Sequence, residues 1–151
     1  WCCIGWAYCH KLFDGIMRFE TAEDLAREKK AIEKFVSLFK GSYKKLGDND
    51  IDYRVYDSKK NLISYVEVKG RMATIKEAFP LCVALQKLHK LSSKRLNPVL
   101  IWACLDGLVY TKINEAEGKV KWGGRTPRAG SSNDQELMVY YDHQRCFKYL
   151  I

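Results

Sequence analysis

At 151 residues and 17.5 kDa the chain is long enough for one domain with a proper core, and 47% hydrophobic with 29% charged residues excludes wholesale disorder. Twenty-six Lys+Arg against 18 Asp+Glu give a net charge of +8 and a pI near 9.2, which favours a polyanionic partner such as nucleic acid over an acidic protein surface. Charge alone does not choose between nucleic acid and a membrane surface. No apolar run approaches the ~20 residues of a membrane span, and the N-terminus lacks a signal-peptide pattern. The six cysteines form no Cys-x-x-Cys pair, and Cys9-His10 near Cys2-Cys3 lacks the loop spacing of a zinc site. The expectation is a cytoplasmic protein with free thiols.

Residues 1–16 read as an N-terminal extension of unclear status, because Met17 is followed at once by a well-formed helix start; residues 17–151 read as one domain. From Thr21, apolar or small residues at 22, 25, 32, 36 and 39 keep a 3.6-residue period. Thr21 with Asp24 resembles a capping box, and Gly41 is a stop. An amphipathic helix follows. IDYRVYD and NLISYVEVK then alternate about Asp57–Asn61, so they form an antiparallel hairpin. Thr74 to Arg95 carries a second helical pattern that Pro80 kinks or restarts, and Asn97-Pro98 ends it. PVLIWACL is a strand covered on both faces, Asp106-Gly107 turns into LVYTKI, and KWGGRTPRAGSSND is a loop before ELMVYYD, a strand or short helix. The order describes an α/β domain with one central mixed sheet.

Within ISYVEVKG, alternation puts Tyr65, Glu67 and Lys69 on one face and Ser64, Val66 and Val68 on the other. Turning the hairpin midway between Lys59 and Lys60 sets Asp52 opposite Glu67, with Cβ atoms about 4.5–5.5 Å apart. Opposed carboxylates repel. A hard divalent cation would give the pair a purpose, since Mg²⁺ takes one or two carboxylates plus waters and phosphate oxygens. The plainer reading is a cross-strand ion-pair cluster with Lys69.

The assembly NDIDYRV, then YVEVKGR, after a helix bearing Glu33 or Glu28, resembles the PD-(D/E)XK nuclease superfamily over about Thr21 to Trp102, and within it small phage RecB-like or VRR-type nucleases. No Pro precedes Asp52, where Ile51 stands. The resemblance implies a restriction-endonuclease-like core, a central mixed β-sheet flanked by helices. It implies that Asp52, Glu67 and the Val68 carbonyl bind Mg²⁺ or Mn²⁺, that Lys69 helps activate water, and that Glu33, or Glu28 in its place, completes the site from the helix. Gln86 and Lys87 on the second helix fall where such nucleases often carry an auxiliary polar residue. Arg71, Lys87, Arg125 and Arg128 are the expected DNA contacts, the last two in a Gly/Ser-rich loop with Trp122 nearby as a stacking platform. The implied function is a metal-dependent DNA endonuclease in phage or mobile-element DNA processing. The alternative is a non-catalytic nucleic-acid-binding module that keeps the fold, and behind it an acidic-ligand-binding protein. The partner is DNA and not a membrane, with the oligomeric state open and a homodimer included.

Overall fold

The computed structural model describes residues 22–47, 51–124 and 135–151. Helix α1 (Ala22–Ser37) buries Ala31, Ile32, Phe35 and Val36, a stripe at helical spacing. Ala22 and Leu25, the first two members of the expected stripe, are exposed instead. The helix ends in a turn where Lys40 takes the left-handed conformation (φ 55°) and Gly41 N–H returns to the Val36 carbonyl at 2.9 Å. Gly41 is required by space: a Cβ there would lie 2.3 Å from both the Phe39 ring and the Tyr56 carbonyl.

Strands β1 (Ser42–Lys45), β2 (Tyr53–Tyr56) and β3 (Leu62–Gly70) form an antiparallel meander. The β2–β3 turn is held by Asp57, whose carboxylate accepts from the Lys59 and Asn61 backbone N–H groups at 2.8 and 2.9 Å. After β3 the chain crosses over through α2 (Ile75–Ala78), β4 (Leu81–Ala84) and α3 (Leu85–Ser92), and returns as β5 (Val99–Ala103), parallel to β3. Strand β6 (Leu108–Lys112) pairs antiparallel with β5, and β9 (Lys148–Leu150) with β6. The central sheet therefore has the order β1-β2-β3-β5-β6-β9 and is mixed, a restriction-endonuclease-like α/β core.

A second sheet, β4-β8-β7, is built from β4, β7 (Lys119–Gly124) and β8 (Gln135–Tyr141). It replaces part of the helix expected over 74–95 and takes in the start of the expected 121–134 loop. Leu81, Leu85, Leu88 and Leu91 recur at helical intervals, yet Leu81, Cys82 and Val83 are all buried, which a strand covered on both faces satisfies and a one-sided helix does not. Pro80 just before them cannot donate a helical hydrogen bond.

The core lies on both sides of the central sheet. One face carries Val66, Val68, Val99 and Ile101 against α1. The other carries Leu100 and Trp102 against Leu81, Val83, Leu91, Val139, Tyr141 and Phe147. Trp102 is fully buried, and its indole N–H donates to the Cys82 carbonyl at 3.0 Å, so the largest ring of the core also satisfies a β4 edge carbonyl. Cys82, Cys104 and Cys146 are free thiols. Among the described residues no helix is long and apolar enough to cross a membrane.

Candidate active site

Asp52 stands one residue before β2. The hairpin pairs Tyr53 with Val66, Arg54 with Tyr65 and Val55 with Ser64, then slips by one at Tyr56–Leu62. The slip lies at the turn end, so the register is undisturbed where the chain enters β2. One step further, Asp52 adjoins Glu67. Its backbone N–H donates to Glu67 Oε2 at 3.2 Å, and its own Oδ2 accepts from the Val68 N–H at 2.9 Å. Because β2 begins only at Tyr53, the edge of β3 at Val68 faces a side chain rather than a paired strand.

Glu67 is 1% exposed, and a buried carboxylate needs compensation. Two ammonium groups supply it: Lys69 Nζ lies 3.4 Å and Lys87 Nζ 3.8 Å from Glu67 Oε1. Lys69 comes from β3 itself, two residues on and on the same face. Lys87 comes from the first turn of α3, which the crossover brings back against β3. Burial, and after it the Glu67 carboxylate, push the Asp52 carboxyl up to about 6, while the Val68 N–H and the two lysines pull the other way. Near neutral pH Asp52 is thus mostly ionised, held so by its hydrogen bond and the lysine charges.

The remaining expected residues fall elsewhere. Glu33 is on α1, which covers the Val66/Val68 face of the sheet, the reverse of the Glu67 face. There it is half exposed, with Tyr43 Oη at 3.2 Å and Lys29 Nζ at 3.9 Å. Glu28, on the same helix, pairs with Lys45 of β1 at 3.6 Å. Gln86 is exposed, while its neighbour Lys87 turns in to the carboxylates. Arg71 is 6% exposed and points inward: it donates to the Gly70 carbonyl at 2.7 Å, to the Cys82 carbonyl, and to Cys82 Sγ at 3.3 Å. That guanidinium ties the end of β3 to β4. Arg125 and Arg128 lie outside the described residues. Lys87 beside Glu67 is the placement that sequence periodicity did not contain, since it depends on the crossover returning α3 to β3.

Among the described residues no group of three or more His, Cys, Asp or Glu side chains forms a metal cage. The donor set is smaller and of mixed kind. In a strand the N–H and C=O of one residue point to the same edge, so the Val68 carbonyl faces the side on which its N–H meets Asp52. Two carboxylates and a backbone carbonyl, all hard oxygen donors, suit a magnesium ion that keeps several waters and takes substrate phosphate oxygens for the rest of its shell.

Comparison with curated proteins and with solved structures finds no match. Residues 16–148 match the sequence family described as "phage putative PDDEXK endonuclease". With most of its length inside that match, the chain belongs to this phage PDDEXK family.

Proposed function

We propose that the protein is a metal-dependent DNA nuclease, cleaving phosphodiester bonds internally in phage or mobile-element DNA processing. The observation that carries this reading is the pairing of the partly buried Asp52 with the buried Glu67 at the open end of the hairpin, linked by the Asp52 N–H and flanked by two lysines. A purely structural ion cluster has no need of the second carboxylate, since Glu67 alone already holds Lys69 and Lys87 on one oxygen.

Asp52, Glu67 and the Val68 carbonyl would hold Mg²⁺ or Mn²⁺. When bound, the ion supplies Lewis-acid stabilisation of the charge that develops on the scissile phosphate. Lys69 and Lys87 now share Glu67 Oε1. With the carboxylate engaged elsewhere, Lys69 orients the attacking water and offsets negative charge in the transition state, and Lys87 receives a phosphate oxygen from the α3 side. The chain's net charge of +8 supports a polyanionic substrate. Glu33 and Glu28, on the far face, take no part in this reading.

The test is cleavage of plasmid and oligonucleotide DNA with Mg²⁺ or Mn²⁺ against EDTA. The expected result is nicking or linearisation of closed circles that depends on the metal. Cleavage that persists in EDTA removes the metal mechanism, and binding without cleavage under any metal favours the non-catalytic module.

A further inference from the structure

The second sheet extends past its own first strand. β4 stops at Ala84, opposite Met138, while β7 and β8 run on together through Trp122–Leu137, Gly123–Glu136 and Gly124–Gln135. On this two-stranded extension Trp122 is 68% and Leu137 37% exposed, and Val120, one rung pair back, is 53% exposed. Paired residues of an antiparallel ladder share a face, and so do positions two apart. Trp122, Leu137, Val120, Val139 and Val83 are therefore on one face. Its inner members, Val139 and Val83, are buried in the cluster that contains Leu100 and Trp102. Those two residues pair with Glu67 and Lys69 across β3 and β5. Helix α3, which starts where β4 ends and carries Lys87, touches β8 as well as β3. The indole thus stands at the open end of the layer that, deeper in, covers the flank of the candidate site.

A contiguous apolar patch around an exposed indole marks a surface with an occupant. The charges around it choose the occupant. β7 contributes Lys119 and Lys121, both exposed on the reverse face of the same ribbon from Trp122, where β8 carries one carboxylate, Glu136. It is also the outer strand of its sheet, so edge-to-edge pairing with a second copy would set these lysines against their own counterparts. A polyanion that also offers flat apolar faces fits both features, and unpaired nucleic acid is such a ligand. In an intact duplex the base faces are stacked on each other and closed to an indole.

We propose that Trp122, backed by Leu137, is a stacking platform for an unpaired nucleobase, which makes DNA with a single-stranded segment the substrate class. The inference rests on the nuclease reading for the site it serves, but its test does not require cleavage.

Binding to a labelled single strand, a duplex with a single-stranded overhang, and a blunt duplex is measured by anisotropy in EDTA for the wild type, Trp122→Ala and Trp122→Phe. Loss of one base–aromatic stack should weaken the single strand and the overhang by about tenfold and the blunt duplex by less than about twofold, with Trp122→Phe recovering most of the loss. Indole emission should be quenched by the single strand in the wild type more than in Trp122→Ala. Equal losses on all three DNAs, or none, overturn the proposal. So does a wild type that self-associates in sedimentation and becomes monomeric in Trp122→Ala with DNA binding unchanged, which makes the patch a contact between copies. Failure of the nuclease reading shows separately, as no cleavage by the wild type with Mg²⁺ whatever the EDTA binding gives.

Discussion

Asp52 and Glu67 are joined through the backbone: the Asp52 N–H donates to Glu67 Oε2 at 3.2 Å, so the two carboxylates are held together by a group that belongs to one of them. The Val68 N–H then fixes the Asp52 carboxylate at 2.9 Å. This geometry keeps like charges adjacent in a buried place, at a cost that a bound cation would offset.

The cost has a pH signature. The Asp52 carboxyl sits at about 6 in the folded protein against 3.8 unperturbed, so between those values the native state binds more protons than the unfolded state. Stability from this group therefore falls as pH rises from about 4 to about 6, and the whole penalty is present above that window. That displacement corresponds to at most ~3 kcal/mol, with Glu67, Lys69, Lys87 and the Val68 N–H all acting on the same group. In EDTA, Asp52→Asn keeps an acceptor for the Val68 N–H and removes the repulsion. Thermal melts should show it more stable than the wild type at pH 7–8 by about 1–2 kcal/mol, with the gain shrinking toward pH 4. A variant less stable than the wild type at pH 8 would contradict the strain assigned to the pair.

Metal should reverse that order. An ion that binds only the folded protein stabilises it by about 2.7 kcal/mol at one hundred times its dissociation constant. Adding Mg²⁺ or Mn²⁺ should raise the melting temperature of the wild type and leave Asp52→Ala and Glu67→Gln where they were. A rise of equal size in all three would place the ion elsewhere.

The two lysines should separate chemistry from folding. Lys69→Ala should lower single-turnover cleavage by about 10²–10³, as removal of a charge-stabilising group does, while the protein stays folded. Lys87→Ala should also lower it, because its ammonium lies 3.8 Å from the same Glu67 oxygen. A wild-type rate in Lys69→Ala would remove that residue from the mechanism.

The Asp52–Glu67 relation was legible because it depends only on local chain geometry. Alternation in NLISYVEVK and the short polar turn around Asp57 set the register between them, and the slip at Tyr56–Leu62 happens to lie on the turn side. What was not legible depends on the crossover. The leucine spacing at 81, 85, 88 and 91 imitates one helix, whereas burial of Cys82 and Val83 makes the first part a strand. With β4 unseen, Arg71 reads as an outward continuation of the Glu67–Lys69 face, although its partners are the carbonyl and sulfur of Cys82 on that strand. Glu33 is different, because its separation from the site follows from alternation alone: a helix packed on Val66 and Val68 cannot share the face of Glu67.

Arg71 and the arginine pair at 125 and 128 should therefore behave differently under salt. Arg71→Met breaks hydrogen bonds to the Gly70 and Cys82 carbonyls, and leaving buried acceptors unpaired costs about 1–3 kcal/mol each. The Cys82 carbonyl still keeps the Trp102 indole N–H, so the loss should be at the lower end and the fold should survive. Its DNA affinity, measured below the melting transition, should keep the wild-type slope of log K against log salt. If Arg125 and Arg128 each neutralise a phosphate, replacing both with Ala should make that slope shallower by nearly two for duplex DNA, weaken all sequences alike and leave cleavage of saturated substrate intact. An unchanged slope in the double variant would move the backbone contacts to other cations such as Lys119 and Lys121, and a shallower slope in Arg71→Met would mean that the inward guanidinium leaves its carbonyls when DNA binds.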